Sequence, residues 1–483
     1  MKSHTHNDGC GCCRRVFLQT VSLASGALVL MPSGSAGQQK DPVPPKKKTP
    51  TVRGAFIYPP SESLRKAGYW SWPGSSFDPE GHQRSYTKKF DSLAKQLKIQ
   101  LTMDRDPLDD DASVARFIES VKQTKPDGLV LVLFKKLHFP QLEKVLEATK
   151  LPTVAVVPLG VLLINYIQKL QKYPNLVIVN SHEVFEPTAD ALKAMAATRR
   201  MRDSLLINIQ GKGGDEAMEP HLGTRVRHIA HSRFINAFAQ TKIDDRVKQL
   251  SATYTRGAQE VVEPGKEDIL QAARSYFALK RLIDEEKADA MMMSCLQGLR
   301  KPRTHVPPCM GFMSLHDEGI VAGCQSDLEA TLSMMLVRNL FDRPAFMNNP
   351  SYDTVQNEYY CAHCTAPSRM AGYDAPSEPY ILRSHAEAGW GCVPQVLFSE
   401  GQEMTMLHYF PGKSPKMSLY TGKVVRCYPK LPGGCRTNLQ MTINEVDDMS
   451  KLVLGGHQVV FYGNGSNLLR TFCRLNGIEL CNG

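Results

Sequence analysis

Between Cys295 and His408 the chain gathers Gln325, Asp327, Asp353, His363, His385 and Glu387 among turn residues and short apolar runs. Carboxylates, imidazoles and an amide at that density supply oxygen and nitrogen lone pairs together with groups that exchange protons. They can bind a hydroxylated small molecule or a divalent cation. One segment, Gly323-Cys-Gln-Ser-Asp327, runs into an apolar helical pattern from Leu332 to Leu340. A second, Ala362-His363-Cys364, follows about one strand and turn later, so the two can face each other across a sheet edge. Arg383, His385 and Glu387 alternate, which would put them on one face of a strand. Each residue also has a plainer role open to it. Asp327 suits the N-cap of the helix that follows, His363 a hydrogen-bonded core position, and the Arg383 to Glu387 stretch a solvated sheet face.

The elements that must position these groups are legible as periodicities. Gly128 to Phe134 and Thr153 to Val157 are continuous apolar runs, the pattern of strands buried on both faces, and the spacing over Phe139 to Ala148 predicts a covering helix between them. With a first strand over Val52 to Tyr58 and a helix over Ser85 to Leu97, this predicts a parallel sheet. The theme restarts at Asn175 to Val179 and Ser204 to Ile209, flanking a helix through 189–202, and continues with a strand over 224–229 and a long charged helix over 267–287. Beyond about residue 340 turn pairs such as Pro411-Gly412 punctuate β-rich runs, among them Met404 to Phe410, Met417 to Tyr420, Leu439 to Ile443 and Val459 to Tyr462. The expected fold class is α/β: two Rossmann-like three-layer units, over 52–174 and 175–340, followed by a β-rich C-terminal domain over 341–483.

Length and composition agree, since 483 residues exceed one ordinary core, and 42% hydrophobic with 22% charged residues describes a globular chain. The net charge of +10 is partly carried by Arg14, Arg15 and Lys46 to Lys48, and no basic stripe interleaved with aromatics follows. Nucleic acid is therefore not an expected partner. Residues 1–36 resemble a twin-arginine export signal: Arg14-Arg15 stands before a weakly apolar run to Leu30, too short to span a bilayer, and Gly34-Ser-Ala36 offers a cleavage site. A disordered tether over 37–51 is expected next. The destination implied is the periplasm or another extracytoplasmic space, with the export machinery as a partner and no membrane span in the mature chain. Of the 13 cysteines, Cys10, Cys12 and Cys13 leave with the signal and the others all lie at or beyond Cys295. Free thiols and disulfides both remain open for them, and Cys361-Ala-His-Cys364 lacks the second pair of a structural zinc site.

Aldose and ketose interconvert by moving a proton through an enediol or by a metal-guided hydride shift, and either route needs a cation on neighbouring oxygens and groups that transfer protons. The chain resembles the L-fucose and L-arabinose isomerase-like family. The likeness is carried by Gly319-Ile-Val-Ala-Gly-Cys-Gln-Ser-Asp327 before an apolar helix, Arg343-Pro-Ala-Phe-Met347, Ala362-His363-Cys364, and Gly456-His457 near Leu475-Asn-Gly-Ile-Glu479. It covers roughly residues 175–483. The resemblance implies a small carbohydrate substrate, a homo-oligomer, and a divalent metal, manganese or similar, held by Asp327 and His457. It further implies that Gln325, Asp353 and Arg383 bind substrate and that Asp327, His363, His385 and Glu387 supply the catalytic groups. His457 could equally just end a strand. Two departures stand out: Gln325 replaces a glutamate common in relatives, and the family's earlier acid has no counterpart near Pro307-Pro-Cys309. A carbohydrate-binding protein that lost the reaction is the alternative, and an oxidoreductase using the first sheet would lack its glycine-rich loop.

Overall fold

The computed structural model describes residues 48–67, 73–74, 76–181, 185–430 and 434–481. The expected export signal and residues 37–47 of the tether lie outside them. Every residue of the strands Gly128–Leu133 and Thr153–Val157 is buried, as the unbroken apolar runs require. They form the middle of a five-stranded parallel sheet in the order Gln100–Met103, Thr51–Ile57, Gly128–Leu133, Thr153–Val157, Leu176–Asn180. The last strand departs from the expectation that it opens the second unit. Its side chains are only partly covered, which suits an edge strand of the first sheet. The helices Pro79–Leu97, Asp111–Thr124 and Phe139–Thr149 connect these strands.

The second sheet runs Val321–Cys324, Ala290–Met293, Leu205–Ile209, Arg225–Ile229, all parallel, with Glu216–Met218 antiparallel at the edge. Helix Glu186–Asp203 buries Ala191, Ala194, Met195 and Ala197 in a core shared with residues of both sheets, including Val130 and Leu206. Small alanines on that helix face let the backbone approach both layers closely. Parallel pairing also sets the site: Met293 lies opposite Cys324, so the chain leaves both strands at the same sheet edge. Substrate-binding loops of open parallel sheets gather at such edges.

The C-terminal part is a closed antiparallel barrel. Glu403–Phe410, Gln458–Tyr462, Phe346–Asp353, Glu358–His363, Thr437–Met441 and Lys416–Arg426 follow one another around it, and Lys416–Arg426 pairs back onto Glu403–Phe410. The expected run at Met417 to Tyr420 extends into the longer strand Lys416–Arg426, with a register shift between Val424 and Arg426. Closure satisfies backbone groups that an open sheet would leave at its edges. Among the described residues no helix is long and apolar enough to cross a membrane.

Candidate functional site

Asp327 is reached through a turn that only a committed sequence would hold. The strand Val321–Cys324 ends, Gln325 and Ser326 take left-handed φ values of 54° and 53°, and Asp327 returns to extended backbone before helix Leu328–Phe341. Two consecutive non-glycine residues in that region cost about 1–2 kcal/mol each. The turn aims one Asp327 carboxylate oxygen at the helix, where it accepts the Ala330 N–H at 2.9 Å. The other oxygen faces His457 Nδ1 at 2.7 Å, across 130 residues of sequence. Burial raises the Asp327 carboxyl, but the hydrogen bonds from His457 and Ala330 outweigh it and hold the group below its ordinary value. The cap and the pairing with His457 are thus one arrangement.

An ionised carboxylate only accepts, so His457 Nδ1 carries the proton toward Asp327 and a neutral ring keeps its lone pair on Nε2. That Nε2 is buried and has no hydrogen-bond partner among the described residues. Carboxylate on one ring nitrogen, free lone pair on the other, is how a ligating histidine is commonly held. Behind it stands a group that the sequence did not single out. His408 is fully buried, its Nδ1 donates to the His457 carbonyl at 2.7 Å, and its Nε2 faces Glu329 at 3.0 Å. Alternation along Met404 to Phe410 could have flagged an inward histidine, but nothing local joins it to Glu329.

The His408 ring lies against Gly455, where an added Cβ would overlap it, whereas a Cβ at Gly456 would meet Asp327 Oδ2 at an ordinary 3.5 Å. Gly455→Ala should therefore cost about 1–3 kcal/mol by displacing the ring, and Gly456→Ala should be tolerated far better. Urea unfolding of the two variants checks this; equal midpoints would dissociate Gly455 from the histidine.

The other expected site residues divide. His363 joins the pair: its ring meets that of His457 with centroids 5.4 Å apart, and its Nδ1 bonds Thr365 Oγ1 at 2.9 Å. Burial, aided by His457 and His385, pushes the His363 imidazole down to about 3. His385 is buried, accepts the Ala388 N–H at 3.2 Å on Nδ1, and is lowered by burial. The expected strand through Glu387 stops at Arg383; residues 386–388 form a turn, so the shared face is absent and Glu387 is exposed. Gln325 is also exposed, at the tip of its turn. Arg383 has its guanidinium occupied by Glu263, at 2.7 to 3.0 Å, and by Gln395 at 2.8 Å. Asp353 ends a barrel strand, accepts from the Val355 and Gln356 N–H groups to shape the hairpin turn, and takes the Gln440 amide N–H at 3.1 Å on its other oxygen. Those local partners account for Arg383 and Asp353 without a ligand.

Cysteines form the other part of the surroundings. All ten beyond the N-terminal three carry free thiols, and the sulfurs of Cys295 and Cys324 lie 3.3 Å apart. Cys309 and Cys364 pack together with Val393 and the half-buried Cys435. Among the described residues no three or more His, Cys, Asp or Glu side chains are arranged to hold a metal. A cleft of about 650 Å³ lies elsewhere, lined by Lys98, Lys193, Arg200, Arg338 and Asp342 among others, and contains none of the site residues.

No protein-family model and no curated protein matches the chain. Among solved structures, an ABC transporter solute-binding protein from Burkholderia multivorans is 12% identical over 62% of this chain and 95% of that one, with a TM-score of 0.17. A D-threo-3-hydroxyaspartate dehydratase from Delftia sp. HT23 is 7% identical over 89% of this chain and 86% of that one, with a TM-score of 0.11. Scores this low carry no argument about fold or function. What stands is a mixed α/β chain with two parallel sheets, a C-terminal antiparallel barrel, and an Asp327–His457 pair joining the end of one parallel strand to the start of a barrel strand.

Proposed function

We propose that the protein is a sugar isomerase-like protein of the L-fucose and L-arabinose isomerase type, acting on a small carbohydrate with a divalent metal such as manganese. The observation that carries the reading is the Asp327–His457 contact at 2.7 Å with the buried His457 Nε2 left unpartnered. These two residues are the ligands that the family resemblance implies. In this reading His457 Nε2 would take the metal, Asp327 on the opposite ring nitrogen would fix the ring's tautomer and orientation for it, and water and sugar oxygens would complete the coordination. The metal, when bound, polarises the sugar carbonyl and stabilises charge on its oxygens. His363 lines the pocket beside His457, Gln325 offers an amide to a sugar hydroxyl, and His385 and Glu387 form its outer wall. Glu329, bonded to His408, is the further carboxylate near the pair, in a chain where the family's earlier acid is missing. The two parallel-sheet parts are read as Rossmann-like units, and the chain as exported by the twin-arginine route and assembled from several copies.

The second reading, a carbohydrate-binding protein without turnover, is favoured by a specific feature: Gln325 stands where a carboxylate is common, and an amide accepts no proton as a base does. Two measurements separate the readings. A cation that binds only the native state adds RT ln(1 + [L]/Kd), about 2.7 kcal/mol at a hundredfold excess over Kd, so manganese should raise the melting temperature and His457→Ala should abolish the gain. Incubation with manganese and a panel of aldoses in deuterated water should then give ketose, or deuterium at C2, by NMR. Stabilisation by sugar without either product selects the binding protein. A melting temperature indifferent to manganese, magnesium and cobalt ends the metal reading.

A further inference from the structure

The cysteines around the Asp327 turn are not used by the proposed function, and their placement follows a pattern. Cys324 is the last residue of its strand and Cys295 stands two residues beyond Met293, the partner of Cys324 across the sheet. Their sulfurs, 3.3 Å apart, are in contact but unbonded. Both side chains are almost fully buried, so diffusing reagents do not reach them directly. Cys435, in contrast, is half-buried, and it shares an apolar cluster with Cys364 and Cys309. Burial raises the Cys309 thiol, and the neighbouring Cys295 and Cys435 raise it further. Cys309 thus links the half-buried Cys435, with which it clusters, to the Cys295–Cys324 pair beside the Asp327 turn.

We propose that Cys295 and Cys324 form a reversible disulfide, a redox switch on the Asp327 turn, which exchanges with external small-molecule disulfides through Cys435. The Cys435 thiolate attacks an external disulfide, releasing one thiol and leaving a mixed disulfide. A neighbouring cysteine displaces the second thiol and closes an internal disulfide, which passes inward by the same exchange. In sum, one external disulfide is reduced to two thiols, which take up the two protons, while Cys295 and Cys324 are oxidised to one disulfide. Closing the bond brings the sulfurs from 3.3 Å to ~2 Å. The Cys324 carbonyl accepts the Asp327 N–H at 3.2 Å, so the contraction is transmitted through two left-handed residues to the carboxylate on His457.

The test needs neither metal nor sugar, so its failure is separate from failure of the proposed activity. The folded full chain is equilibrated in glutathione buffers of graded oxidised fraction, quenched with acid, alkylated and mapped by mass spectrometry. A Cys295–Cys324 linked peptide should rise with the oxidised fraction, disappear with dithiothreitol, and form about tenfold more slowly in Cys435→Ser. The His457 ring signals in NMR should differ between the two forms. Cys295→Ser and Cys324→Ser are independent means of removing the linkage, so one of them failing to fold leaves the other. Linkage confined to Cys364 and Cys435, glutathione on Cys435 alone, or an unchanged rate in Cys435→Ser overturns the proposal.

Discussion

Asp327→Asn should weaken manganese binding by about 10- to 100-fold while leaving the fold standing, and Asp327→Ala should in addition cost roughly 2–4 kcal/mol of stability. The difference follows from hydrogen-bond chemistry. Asparagine can still accept the Ala330 N–H with its carbonyl, keeping the cap at 2.9 Å. Its other atom is then an NH2 donor pointing at His457 Nδ1, which must give up its proton and move it to Nε2. A protonated Nε2 has no lone pair for a metal. Alanine removes cap and partner together, and leaves a buried imidazole N–H without an acceptor. Isothermal titration with manganese and urea unfolding on both variants separate the two effects. If Asp327 is a helix cap and nothing more, Asp327→Asn will bind manganese as the wild type does.

How much of this could be read from sequence depends on whether the signal is local. Gly128 to Leu133 and Thr153 to Val157 are apolar at every position because both sheet faces are covered, and a run of that kind can be recognised without knowing its neighbours. The helices Phe139–Thr149 and Lys266–Glu286 begin and end within two residues of their periodic patterns for the same reason. Pairing is not local. Leu176–Asn180 is apolar enough to open a sheet or to end one, and only its partner Thr153–Val157 decides. The barrel's β-rich texture was legible, whereas its closure through Lys416–Arg426 onto Glu403–Phe410 depends on register set across the whole domain. The site shows the same division. Asp327 announced itself by standing before a helix, and His457 by its glycines, but His408 is 79 residues from Glu329, and although Glu329 follows Asp327 by two residues, nothing in the sequence pairs it with His408. Alternation misled at Arg383 to Glu387, because the chain turns after Arg383 once that side chain has met Glu263.

Acid should unfold the protein early, with a midpoint at about pH 4–5, and buried histidines are the reason. Burial lowers His363 to about 3 and His305 and His316 to about 4, against an ordinary value of 6.5. All three are nearly inaccessible to solvent, and Nε2 of both His305 and His316 has no partner among the described residues. A histidine whose value is lower in the folded chain binds its proton more readily when unfolded. Its contribution is therefore complete above pH 6.5 and is lost as pH falls toward the folded value. At about 1.4 kcal/mol per unit, three such groups lose roughly 10 kcal/mol by pH 4. Asp317 opposes them, since burial raises its carboxyl to about 6 despite the hydrogen bonds from Ser368 and Arg369. A raised carboxyl favours the folded state as it protonates, and returns roughly 2 kcal/mol over the same interval. Asp327 adds to the loss only at the acid end of the interval, because the unfolded carboxyl begins to take up protons as pH nears its ordinary value of 3.8 while the folded one, held lower, does not. His231 and His385, also lowered by burial, act with the three histidines, while the raised carboxyls of Asp104, Glu143, Asp190 and Glu378 act with Asp317. A loss on the order of several kcal/mol is a large share of an ordinary domain's stability, which is why unfolding is expected. Urea titrations from pH 7 to 4 should show stability falling with a slope that His316→Phe reduces by about 1.4 kcal/mol per pH unit. A stability flat between pH 6.5 and 4.5 would mean that these imidazoles take up protons in the folded chain as readily as in the unfolded one, and that water or an acceptor reaches nitrogens found here without one.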